Sequence, residues 1–383
     1  MITPTARPLA ARAIDDAQAM RRAGRELLSL ALIDARNRLL ARLAEDESAR
    51  ALRLAAHAGW FQERWISRHL QRRRGEAADV RATPLAGIEP ELESWLDPLG
   101  APPAPEAVRG YLRETLEITL ELLAVADEDD AGLYCYRLAL LHEDRLGEAL
   151  AELRNAGEPP ARVEREAIWL PARLWPLGSA RGSGFVPHNE RWAHDVAVPE
   201  FEIDAQPVTW RQYAEFAEDD GYDRRECWSD EGWAWLQAGA RRAPRGVEQF
   251  AGGVLVERGG RLRRAAAGQP AMHLTRHEAQ AWCLWAARRL PTEPEWEMAA
   301  ATAASRGFVW GDVFEWVAGS ARAWPDAGPP GPGCLDVAPA AGTMGVLRGA
   351  SFASAPRRRY AQARRYAPPE CDTMFCGFRS CAP

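Results

Sequence analysis

The chain has 383 residues, with 48 basic and 54 acidic side chains and a formal net charge of −6. Every basic residue is arginine, which excludes Schiff-base lysine chemistry and any phosphate-binding loop that depends on lysine. The slightly acidic balance argues against nucleic acid as a partner.

Met1 to Met20 lacks the apolar core of a signal peptide, and no apolar run is long enough to span a membrane. The seven cysteines are scattered and odd in number, which suits reduced thiols in the cytoplasm better than a disulfide scaffold. Four segments then show a helical period. They run from about Ala23 to Ala44, Ala49 to Arg74, Pro105 to Ala126 and Ala131 to Leu153, the last capped by Asp130. Helices of this length suit an up-and-down bundle. The Pro/Gly-rich stretch Gly75–Pro105 reads as a crossover loop, and Arg154–Glu166 as a linker.

From Trp169 onward the texture changes: 13 of the 16 tryptophans lie here, and apolar runs are short. Thr209/Gln212, Thr275/Glu278 and Thr292/Glu295 are spaced as capping boxes, so short helices begin there. The fold class is α+β, with a helical unit over 1–153, a linker over 154–166 and a second unit over 167–383.

Chemistry is sparse. His57 and His142 lie on the expected core faces of two bundle helices, which reads either as two satisfied core histidines or as the arrangement from which bundle metal sites are built. His142-Glu143-Asp144-Arg145-Leu146 begins like a zinc-protease motif but ends in Leu146, which cannot ligate a metal. No nucleophile elbow or dinucleotide fingerprint occurs. Cys371 and Cys376 read as ordinary thiols, and the arginine-rich stretch Arg357–Arg365 as structural or carboxylate-binding. His69 reads as exposed, and His188, His194, His273 and His277 as surface or structural.

Pro207-Val208-Thr209-Trp210, Arg289-Leu290-Pro291-Thr292-Glu293, Phe314-Glu315-Trp316, Arg348-Gly349 and Gly377-Phe378-Arg379 together resemble the formylglycine-generating-enzyme-like, C-type-lectin-related fold. The first half resembles the DinB type of four-helix bundle. With His57-Ala-Gly-Trp-Phe-Gln-Glu63, Leu141-His142-Glu143-Asp144 and the insert Trp228–Trp235, the two halves resemble the ergothioneine-type sulfoxide synthases and selenoneine synthase.

That resemblance implies oxidative C–S or C–Se bond formation on the imidazole of hercynine. The reaction would use Fe(II), O₂ and a thiol or selenium donor. Relatives bind the iron with three histidines. His57 and His142 match two of them, and Leu146 stands at the third position. Glu143, Asp144 and Glu148 are the carboxylates near enough in sequence to substitute, though helical geometry turns all three away from the His142 face. The resemblance also implies substrate contacts from Trp316, Arg348 and Asp372. Tyrosines usual between Trp316 and Val346 are absent. The alternative reading is a non-catalytic homologue that acts as a binding or partner protein.

Overall fold

Helices come first along the chain because apolar residues recur at helical spacing between good caps. The computed structural model describes residues 13–338 and 342–383. Residues 1–12 of the expected helical unit, and 339–341 of the second, lie outside the described residues. A short helix α1 (Ala17–Arg21) precedes α2 (Arg25–Glu45) and α3 (Ala49–Gln62). A brief α4 (Leu92–Leu96) is followed by α5 (Pro105–Ala124) and α6 (Asp130–Leu153). The four long helices α2, α3, α5 and α6 pack on one another. Their shared core holds Leu28, Leu32, Phe61, Leu133, Leu138 and Leu141 at one end, and Leu39, Leu52, Leu112 and Leu150 at the other.

Three expectations need correction here. The second helix does not reach Arg74: α3 stops at Gln62 and continues as a wider π turn over Glu63–Ser67. Glu63 is held at that point by Tyr111 Oη, and by the backbone N–H of Ile88 at 2.7 Å. Gly59 permits the close approach, since a Cβ there would sit 2.5 Å from the Tyr111 ring. The cap of α6 is Asp129 rather than Asp130; its side chain accepts from Gly132 N at 2.7 Å. His69 is not exposed but buried to 1 %, because the chain folds back after the π turn and packs it edge-on against Trp65. The 75–105 stretch also carries order of its own, with Leu92 and Trp95 of α4 buried under α3.

Strands β1 (Ile168–Leu170), β2 (Arg173–Leu177), β3 (His194–Val198) and β4 (Phe201–Ile203) form two small antiparallel pairs, β1 with β4 and β2 with β3. Helices α7 (Trp210–Glu218) and α8 (Asp230–Gly239) follow. Next comes a three-stranded meander of β5 (Val247–Gln249), β6 (Leu255–Arg258) and β7 (Arg261–Arg264). Helices α9 (Arg276–Trp285) and α10 (Glu293–Thr302) precede β8 (Phe314–Trp316), β9 (Gly345–Gly349), β10 (Arg364–Ala367) and β11 (Cys376–Phe378). These last four form one sheet in the order β10-β9-β8-β11, parallel only between β8 and β11. All three capping boxes form, at the starts of α7, α9 and α10.

So little regular structure needs other support, and buried ion pairs supply it. Arg379 and Glu315 are both 0 % exposed, joined at 2.7 Å through Nη2 and Oε1. Trp296 Nε1 donates to the same carboxylate at 2.8 Å. Arg348, also fully buried, spans Glu293 and Glu297. We expect Arg379→Met to cost about 3–5 kcal/mol in urea unfolding, because it strands a buried carboxylate. Adding Glu315→Gln should recover part of that loss.

His273 ties the two halves together. Its ring lies 2.9 Å from Asn155 Oδ1, just past α6, and 3.0 Å from the Asp372 carbonyl. Burial, reinforced by the Arg258 charge, pushes its pKa down to about 3. A depressed imidazole stabilises the fold above the unfolded value near 6.5, and that stability drains as pH falls toward the folded value. His273→Asn keeps a residue tolerant of the left-handed backbone found there (φ 63°). Urea unfolding between pH 6.5 and 4 should therefore show a shallower loss of stability in the variant.

Candidate functional site

His57 projects from the middle of α3, and His142 from the middle of α6, where the two helices pack face to face. His57 Nδ1 and His142 Nε2 stand 3.2 Å apart. Phe61, one turn beyond His57, stacks on the His142 ring with centroids 4.2 Å apart. Trp60 lies 4.7 Å from the His57 ring. Burial lowers the pKa of both rings; His142 falls well below the usual imidazole range, with His57 and Arg145 adding to the effect. Neutral imidazole is the form that ligates a metal. His142 Nδ1 has no hydrogen-bond partner, so the outward nitrogen is not oriented by a carboxylate as ligating histidines usually are.

Two nitrogens at right angles on one metal, with bonds of about 2.1 Å, lie roughly 3 Å apart. The imidazole pair therefore fits two adjacent positions on one ion. No third protein donor joins it: among the described residues there is no cluster of three His, Cys, Asp or Glu side chains able to hold a metal. Leu146 instead packs into the apolar core beside Leu150.

The neighbouring carboxylates are occupied. Glu143 accepts from Arg36 and from Gln62 Nε2, the latter at 2.7 Å. Asp144 holds Arg357 through two bonds, at 2.8 and 2.6 Å. Glu148 accepts from Ser351, Ser354 and Arg365. These partners decide which way each carboxylate points. Glu143 serves the helical core, while Asp144 and Glu148 bolt α6 to the C-terminal part. Arg145 adds a further bond across the same junction, to Asp336.

The other expected site residues are engaged elsewhere. Trp316 is fully buried and its Nε1 donates to the Leu274 carbonyl at 2.8 Å. Arg348 is fully buried in the ion network of α10, over the face of Trp296. Asp372 is buried against Arg241 at 2.7 Å, with Arg245 at 3.6 Å. None of the three shares a hydrogen bond or ring contact with the imidazole pair.

A segment between Trp316 and Val346, the stretch noted for its missing tyrosines, reaches toward the pair from the C-terminal part. Gly333, in a left-handed conformation, lies against Phe61, Trp65 and Leu138; a Cβ there would be 3.1–3.2 Å from all three. Leu335 packs into the helical core. The cavity beside this segment, lined by Leu138, Leu141 and Cys334, is tight, and so is another along α6 lined by Arg145, Glu148 and Arg365; each holds about 10 Å³.

A family profile described as the sulfatase-modifying factor enzyme 1-like domain matches residues 157–312. Hercynine oxygenase of Mycolicibacterium smegmatis is 30 % identical over 342 residues, covering 72 % of this chain and 77 % of that protein. This chain belongs to the ergothioneine-type sulfoxide synthase family. Hercynine oxygenase of Mycolicibacterium thermoresistibile is 31 % identical, covering 75 % of this chain and 69 % of its own length. The formylglycine-generating enzyme of Streptomyces coelicolor is 31 % identical over 176 residues, covering 43 % of this chain and 55 % of that protein. Membership places the chain among oxidoreductases. No described helix is long and apolar enough to cross a membrane.

Neutral imidazoles have a spectroscopic signature. At about pH 6, below the ordinary imidazole value, long-range ¹H–¹⁵N spectra of the metal-free protein should show His142 uncharged, and His57 should titrate below that ordinary value. An imidazolium pattern for His142 at that pH would contradict its burial.

Proposed function

We propose that this protein oxidises hercynine at the junction between its helices and its C-terminal part, joining the imidazole carbon to sulfur or selenium. The observation that carries this reading is the convergence of His57 Nδ1 and His142 Nε2 at 3.2 Å. Those two side chains would hold Fe(II). When bound, the ion supplies O₂ activation and open positions for small ligands. Membership of the family argues for this chemistry, and two neutral imidazoles are the right ligands for it.

The chain's own residues supply recognition. Trp60 and Phe61 flank the imidazole pair, with Trp65 nearby across Gly333, and offer the aromatic faces that a trimethylammonium group requires. Arg358 lies at the same junction and makes no carboxylate pair among the described residues; its Nη1 bonds only the Tyr360 hydroxyl, at 3.2 Å. It suits a substrate carboxylate. Phe61 and the burial of His142 shield one side of the pair from water, while His57 stays half-buried on the other. The same reading takes residues 1–153 as a DinB-type bundle, 154–166 as a linker and 167–383 as the formylglycine-generating-enzyme-like unit, in a cytoplasmic protein.

One observation favours the alternative, a non-catalytic homologue: Leu146 leaves the ion one protein ligand short. Anaerobic Fe(II) titration separates the two readings. One equivalent bound by the wild type, and lost in both His57→Ala and His142→Ala, supports the enzyme and licenses turnover assays with hercynine plus thiol or selenol donors. Leu146→His should tighten binding by at least about tenfold, since tenfold corresponds to only 1.4 kcal/mol. No binding by the wild type overturns the iron reading and leaves the non-catalytic one.

A further inference from the structure

Where α6 ends, the turn 154–158 faces the hairpin of β6 and β7 across a concavity of about 410 Å³. Its lining includes Arg154, Arg258, Arg261 and Arg263, with Glu158 the one carboxylate among the lining residues. A void of this size accommodates a small metabolite. Beyond Ala156 the walls offer no aliphatic or aromatic face.

Arg258 is the built element. It is only 8 % exposed, yet no carboxylate lies within ion-pair distance of it among the described residues. Its Nη1 donates to Asn155 Oδ1 and to the Glu257 carbonyl, both at 3.2 Å. No protein acceptor takes its remaining N–H groups, and those nitrogens are not sealed from the concavity. Glu257, whose charge lies nearest, spends its carboxylate on Asn155 Nδ2 and Gly260 N. Burial without a full counter-ion pulls the Arg258 pKa down to about 10.

The strand register adds a second observation. Arg258 on β6 stands directly opposite Arg261 on β7, and Arg263 follows on the same face. Like charges opposite one another destabilise a strand pair unless something balances them. Neither Arg261 nor Arg263 makes an ion pair among the described residues, and both are exposed. Helix α6 ends here and its C-terminal carbonyls favour a cation, but Arg154 caps that end and is already paired with Glu45.

We propose that this concavity is a binding site for a small phosphorylated metabolite with a polar body, of the sugar-phosphate class. Arg258 fixes the phosphate from below, and Arg261 and Arg263 close on it from the hairpin. Guanidinium forks match phosphate oxygens in pairs, and the polar walls suit hydroxyl groups rather than a stacked base.

Calorimetric titration of the full chain tests this, with glucose 6-phosphate, glucose, inorganic pyrophosphate and a single-stranded RNA as probes. Glucose 6-phosphate should bind with one-to-one stoichiometry and glucose should not. The exposed double variant Arg261→Ser/Arg263→Ser should bind at least about tenfold more weakly, with an unfolding midpoint no lower than that of the wild type. Pyrophosphate binding that is lost in the same variant supports the phosphate assignment. The proposal is overturned by absence of saturable binding, by equal affinity in the double variant, or by RNA binding more tightly than the phosphate ester.

Discussion

A carboxylate buried without a partner costs several kcal/mol, and α6 carries three that are nearly out of contact with water. Glu143, Asp144 and Glu148 fall within six residues of one another, so the helix must turn each toward a different source of positive charge or hydroxyl groups. Arg36 of α2 answers the first, Arg357 the second, and Arg365 with two serines the third. This constraint fixes how α6 sits against α2 and against the C-terminal sheet. The position of His142 follows, since it shares the same rigid turn.

The same bonds explain why the junction is tight. Asp144, Arg145 and Glu148 each reach across to the C-terminal part, and the segment around Gly333 and Leu335 returns the contact. The voids along this junction are small, about 10 Å³ each, while His57 itself is only half-buried. The π turn after α3 falls at the same level, and such turns are common near functional sites. Leu146 is in keeping with this tightness: it contributes apolar packing where a third imidazole would need space and a polar partner.

Much of the fold was legible in the sequence. The helical period gave the four long helices, and the Thr-x-x-Gln/Glu spacing marked three helix starts to the residue, because capping is a local interaction between groups three positions apart. The reach of the second helix was misjudged because nothing local announces that Glu63 is claimed by Tyr111 and by a returning loop. His69 was misplaced for the same reason. The arginine-rich run Arg357–Arg365 was legible as carboxylate-binding, since an all-arginine chain has few other uses for so many guanidiniums in one strand and turn.

The sequence by itself determined what the candidate site contains: two histidines on the core faces of neighbouring helices, and a leucine one turn beyond the second. Tertiary structure decided what those residues do to one another. Only packing of α3 on α6 could set the 3.2 Å between the imidazole nitrogens. Only the burial around them could push the pKa of both rings down. It also settled the fate of Trp316, Arg348 and Asp372, each drawn into bonds within the C-terminal part. The physical reason is range. Periodicity, capping and side-chain chemistry act over a few positions, whereas the partner of a buried charge or ring is chosen among residues brought together only by the whole fold.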